Sequence, residues 1–295
     1  MKQGFKTGRA VAANAGLRDR YRRMLTDLAG EMHKSAAYWI LAEYKRQQPR
    51  AAALMATDAS PARTMIEALR AQSARWRKHL DERAEQYALW FAARADSAAT
   101  AATKQSLSAV AGFTVGMQMS RTVNNTLQTI IAENVSLIRS IGDVYFRDVE
   151  RAVLTSVQRG RDVAGLADEL EKIGSVSRDK AVLIAVDQNQ KATSEISRAR
   201  MADSGCVYGR WRSSRRARHP RQSHQEVDGE IFLLSQGLMI DGKLTFPGME
   251  INCGCRTEPV VPGYEPKKRD FAKIGMENRY FLEWKAKHPD WKEGD

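Results

Sequence analysis

S-R-D-K-A-V-L-I-A-V-D-Q-N-Q-K-A-T-S-E-I-S-R-A-R-M-A-D-S-G, residues 177 to 205, followed at once by C-V-Y-G-R-W-R, residues 206 to 212, marks where the chain changes its pattern. The first part reads as helix: Ser177 stands in a capping position, Ser204-Gly205 in a terminating one, and no proline lies between. The second part alternates, so Val207 to Arg212 is expected to be a short strand with Arg210 and Arg212 on one face. Helical spacing governs what comes before this point, and turn residues govern what comes after.

Toward the N-terminus, Leu17, Tyr21, Met24, Leu25, Leu28 and Met32 recur at helical intervals from about Asn14 to Gln48. Residues 49 to 60 form a weak break, and Ser60-Pro61 then caps and starts a second helix whose stripe runs through Ile66, Leu69, Trp76, Leu80, Tyr87, Trp90 and Phe91. The alanine-rich stretch from Ala92 to Val110 either continues it or crosses another helix closely, with a turn expected between Gly112 and Gly116. Met117 to Ile131 and Val135 to Val157 read as a third and a fourth pattern, the latter stopped at Arg159-Gly160. A short helix through Leu166 and Leu170 is expected to close at Gly174 before the capped helix at Ser177.

Toward the C-terminus, Asp228-Gly229 and Asp241-Gly242 are hairpin signals, the second flanked by Met239-Ile240 and Leu244-Thr245-Phe246. Cys255 to Val261 reads as a last strand, ended by Pro262-Gly263. Phe271, Ile274, Tyr280, Phe281, Trp284 and Trp291 then sit among charges, as a docking segment would. The fold class read from these patterns is mainly α: long N-terminal helices, a small α+β or β-rich C-terminal module, and a helical tail. The boundaries fall at 1–204 for the helical body, 205–265 for the module and 266–295 for the aromatic and basic tail. A module of this size is marginal alone and has to lean on the helices or on a metal.

The formal net charge is +12, and the sequence pI is near 9.7. Such a balance favours a polyanionic neighbour, because lysine and arginine that neutralise phosphates release counterions. Three cysteines, at 206, 253 and 255, do not form a secreted disulfide framework. The first sixteen residues lack the apolar block of a signal peptide, and the longest apolar run, Ala36 to Ala42, is too short to span a bilayer.

Six arginines, Arg210, Arg212, Arg215, Arg216, Arg218 and Arg221, lie between residues 210 and 221 without one acidic residue. Guanidinium forks match phosphate oxygens, so these six are the candidate nucleic-acid contacts. His219, His224, Cys253 and Cys255, spaced H-x4-H and C-x-C, could surround a tetrahedral zinc of structural kind, since four protein ligands leave no place for water. A catalytic alternative would set His219 or His224 with Asn252 and a metal as a nuclease acting on DNA. No H-E-x-x-H, phosphate loop or nucleophile elbow accompanies it.

D-Q-N-Q-K-A-T (Asp187 to Thr193), H-P-R-Q-S-H (His219 to His224), F-P-G-M-E-I-N-C-G-C-R (Phe246 to Arg256) and V-P-G-Y (Val261 to Tyr264) together resemble the phage Mu F-like head morphogenesis family of minor capsid proteins. The shared motifs cover roughly residues 130 to 265. Family members usually carry a basic residue between the two cysteines, where Gly254 stands here. The resemblance implies a non-enzymatic minor head protein of a tailed bacteriophage or prophage, assembled in the host cytoplasm and carried in the capsid interior at the portal vertex. It implies the portal protein, major capsid or scaffolding protein and viral double-stranded DNA as partners, several copies per vertex, and no membrane.

Overall fold

The computed structural model describes residues 6–46, 61–111, 115–159, 162–214 and 221–263, with the isolated positions 286 and 289. The expected break at 49–60, the tail from 266 apart from those two positions, and Arg215, Arg216, Arg218 and His219 lie outside the described residues. The architecture is mainly α with a small antiparallel module. Its elements in order are α1 (Ala15–Arg46), α2 (Pro61–Ala111), α3 (Arg121–Gln158), α4 (Val163–Asp203), β1 (Tyr208–Arg212), α5 (Gln222–Glu226), β2 (Ile231–Leu233), β3 (Leu238–Ile240), β4 (Lys243–Thr245) and β5 (Arg256–Pro259). Among the described residues no helix is long and apolar enough to cross a membrane.

Three expectations about elements change. The patterns at 117–131 and 135–157 are one helix, α3, because the Ala132-Glu133-Asn134 link contains no breaker and Asn134 continues the buried stripe. Asn134 is buried, and its Oδ1 accepts a hydrogen bond of 2.8 Å from the Tyr21 hydroxyl. Gly174 and Ser177 do not divide α4, which runs through both. The reason lies outside the helix: a β-carbon at Gly174 would stand 2.6 Å from the His33 ring, so the glycine makes room for α1. Ser177 is buried inside α4 and caps nothing. Asp228-Gly229 is not a hairpin turn either. It closes the turn after α5 and feeds β2, with the Gly229 N–H donating to Trp211 O at 2.8 Å.

By contacts the chain divides into two units, neither of them continuous in sequence. One comprises residues 19–90 and 131–185. Its core repeats at helical spacing, with Tyr21, Leu25, Leu28, Met32, Ala36, Ile40 and Tyr44 on α1 and Ile138, Ile141, Tyr145, Val149 and Val153 on α3. Polar anchors fix the register. His33 Nδ1 meets the Tyr145 hydroxyl at 3.2 Å and its Nε2 meets Glu171 at 3.2 Å, while Tyr44 and Ser156 share a hydrogen bond of 2.6 Å.

The other unit comprises residues 1–18, 91–130 and 186–295. Its three-stranded sheet has the order β2-β1-β5, all neighbours antiparallel, and a separate hairpin pairs β3 with β4. The hairpin turn is Asp241-Gly242, at φ 50° and 80°, the left-handed pair that a two-residue turn of matching twist requires. Residues 6–11 lie along β5: the Gly8 N–H donates to Pro259 O at 2.9 Å, and the Val11 N–H to Thr257 O at 3.2 Å. The core of this unit joins Trp211, Val227, Phe232, Leu238 and Ile240 of the module to Leu107 of α2, Met201 of α4 and Val11. The module therefore completes its core with helical residues, which answers the shortage of apolar burial expected at its size.

Candidate metal centre and arginine face

The module is seated on α4 by polar residues spaced along one helical face. Asp187 Oδ1 accepts from the Asn252 N–H at 2.9 Å, Gln190 Nε2 donates to Cys255 O at 3.0 Å, and the Ser194 hydroxyl donates to the Pro247 carbonyl. Positions 187, 190 and 194 follow the i, i+3, i+7 rule, so a single helix edge holds the loop from 247 to 255 at three points. Gly248 keeps the approach close, since a β-carbon there would lie 2.9 Å from Gln190 Nε2 and 3.2 Å from Cys255 O.

That seam presents the cysteines. Asn252 adopts φ 57°, and the chain then runs through Cys253, Gly254 and Cys255 into β5. α5 supplies the third donor: His224 Nδ1 lies 3.4 Å from Cys253 Sγ and 3.6 Å from Cys255 Sγ. All three side chains are buried, and their ligand atoms lie within 4.8 Å of one another. Trp211 of β1 packs edge-on against the His224 ring at 5.2 Å. Its buried indole N–H makes no regular hydrogen bond among the described residues but faces the Cys255 sulfur, whose ionised form it favours. Of the four expected ligands, the structure brings together His224, Cys253 and Cys255, while His219 lies outside the described residues.

The two thiols titrate as a pair. The hydrogen bond from Cys255, joined by His224, holds Cys253 down to about 4 against the opposing effect of burial. The thiolate so formed, together with burial, pushes Cys255 up, even though the Ser214 backbone and the Trp211 indole favour its ionised form.

Arg210 and Arg212 do share the partly open face of β1, as alternation predicts. The fold brings acids to them that the local sequence does not contain. Arg212 Nε lies 3.1 Å from Glu258 of β5, its Nη1 lies 3.8 Å from Asp228, and Arg210 Nη1 lies 3.9 Å from Glu258. Arg221 donates to Ile251 O at 3.0 Å. Ala10, Arg212, Ser213, Ser214, Asp228 and Arg256 line an open cavity of about 510 Å³ beside this face. Asn252, named with the histidines in the nuclease alternative, is bound through its backbone to Asp187.

A family model described as Phage Mu protein F like protein matches residues 147–258. Residues 147–258 belong to that family. The Mu F-like segment takes in α4, β1, the His224 turn, both clustered cysteines and most of β5, so the α4 seam and the donor cluster fall inside it. That similarity is to a bacteriophage protein, phage Mu protein F. A Haemophilus influenzae protein that carries only the name "Uncharacterized protein" is 28% identical over 211 residues, which cover 70% of this chain and 46% of that protein. The aligned part of this chain thus spans less than half the length of that relative. No solved structure matches the chain.

Proposed function

We propose that the chain is a structural minor head protein of a tailed bacteriophage or prophage, acting in head morphogenesis at the portal vertex and contacting the packaged double-stranded DNA. The observation that carries this reading is the Mu F-like match over 147–258, which includes the helix that seats the module as well as the module itself. The net charge of +12 supports the DNA contact. On this reading the helical part meets the portal protein and the major capsid or scaffolding protein, in several copies per vertex, inside the virion. The module presents its basic loop to phosphate. Arg210 and Arg212 already hold Glu258 and Asp228, so the phosphate-binding role rests more on Arg221 and on Arg215, Arg216 and Arg218, which lie outside the described residues.

Binding of the purified protein to duplex DNA should weaken steeply with salt, and changing Arg215, Arg216, Arg218 and Arg221 to alanine should flatten that slope by up to about four phosphate contacts. An unchanged slope would remove the loop from the proposal. Vertex location is tested by co-purification with portal protein expressed from the same phage or prophage. Failure to associate, in the presence and absence of capsid protein, would sink it. Supercoiled DNA incubated with the protein and divalent metals should stay supercoiled; nicking that survives purification and is lost in a chelator would instead favour the nuclease alternative.

A further inference from the structure

We propose that His224, Cys253 and Cys255 bind one zinc ion, which fastens α5 to the loop that enters β5. Imidazole and thiolate are the ligand types that zinc prefers. The geometry agrees as well as the chemistry. Bonds of about 2.0–2.1 Å to nitrogen and about 2.3 Å to sulfur at a tetrahedral angle set nitrogen and sulfur roughly 3.5 Å apart. The two separations here are 3.4 and 3.6 Å. A thiol hydrogen bond could occupy one of them, but the Nδ1 lone pair accepts a single proton, and it stands in reach of both sulfurs at once.

The surroundings are arranged for sulfur that carries charge. The Cys255 N–H faces the Cys253 sulfur, and the Ser214 N–H and the buried Trp211 indole N–H face the Cys255 sulfur. Donors of this kind orient and stabilise metal-bound thiolates. The location favours a structural role. The donor residues are only 4–5% exposed, and Glu226, the acid nearest His224 in sequence, is exposed and bound to Gln222. α5 has five residues and no side-chain cap at Arg221, so a tether through His224 would hold what helix energetics alone do not.

The full chain, purified under reducing conditions and reconstituted with zinc, should carry one zinc per chain after dialysis. Cys253→Ser/Cys255→Ser should lose it. Cobalt substitution of the unaltered protein gives a reading that does not depend on any variant folding: thiolate-to-cobalt charge transfer with a tetrahedral ligand-field spectrum is expected. Cys253 and Cys255 should resist alkylation until a chelator is added, and the chelator should lower Tm. Substoichiometric metal after reconstitution, an octahedral cobalt spectrum, chelator-independent alkylation or a Cys253–Cys255 disulfide in the non-reduced protein would each overturn the site.

Discussion

A β-carbon added at Gly174 would stand 2.6 Å from the His33 ring, which is itself fixed by Tyr145 and Glu171. Alanine is the better helix former by about 1 kcal/mol, yet the overlap costs about 1–3 kcal/mol, so Gly174→Ala should lower stability in a urea melt. Equal or greater stability would show that the His33 ring yields. Gly254 is a second such position, since a side chain there would meet Ser214 Oγ and Cβ at 2.8 and 2.9 Å. Glu258 adds a pH effect. Burial raises its pKa, Arg212 and Arg210 oppose the rise, and Asp228 adds to it. A carboxyl with its folded pKa above its unfolded pKa takes stability away as pH climbs from the unfolded to the folded pKa, and the loss is complete above the folded value. Glu258→Gln should therefore flatten the part of the pH dependence of stability that this carboxyl contributes. A steeper profile would contradict this.

At the scale of elements, the α4 seam sets the position of the cysteine loop. Asp187→Ala and Gln190→Ala each remove a hydrogen bond to loop backbone, and each should cost about 1 kcal/mol. Amide hydrogen exchange should accelerate at Asn252 for the first variant, and for both throughout the Cys253–Cys255 loop. Unchanged exchange would mean that the loop holds its shape without the helix. Local chemistry made several elements legible in the sequence. Alternation placed Arg210 and Arg212 on one face of β1, Asp241-Gly242 announced its turn, and donor type singled out His219, His224, Cys253 and Cys255, of which the last three come together in the fold. What escaped depends on distant partners. Gly174 reads as a stop signal until His33 is known to lie against it, and the arginine run reads as free of acids until β5 brings Glu258 alongside. Trp211 reads as core, and only the folded state brings its indole N–H to face the Cys255 sulfur. The Mu F-like motifs were readable as a family pattern, whereas the pairing of 187 with 252 and 190 with 255 needed the fold.

Over the whole molecule, the two contact-defined units differ in how their pieces are collected from the chain. The unit built from 19–90 and 131–185 is helical at nearly all of its described residues, so its backbone hydrogen bonds are local even where its side chains meet distant partners. The other needs Gly8 and Val11 to find Pro259 and Thr257. A β-carbon on Gly8 would run into Ser106 and approach Pro259, so Gly8→Val should break this edge pairing and lower the melting temperature, with little effect if residues 6–11 dock loosely. That pairing also has a meaning in time. Contacts between residues so far apart must first meet the entropy of closing nearly the whole described chain, and such closures come late. During synthesis, residues 6–11 would emerge long before their partners and wait beside an unfinished sheet. In refolding followed by pulsed hydrogen exchange, the Gly8 and Val11 amides should gain protection after those of α1 and α3, so the earliest-made residues of the sheet would be among the last to be locked.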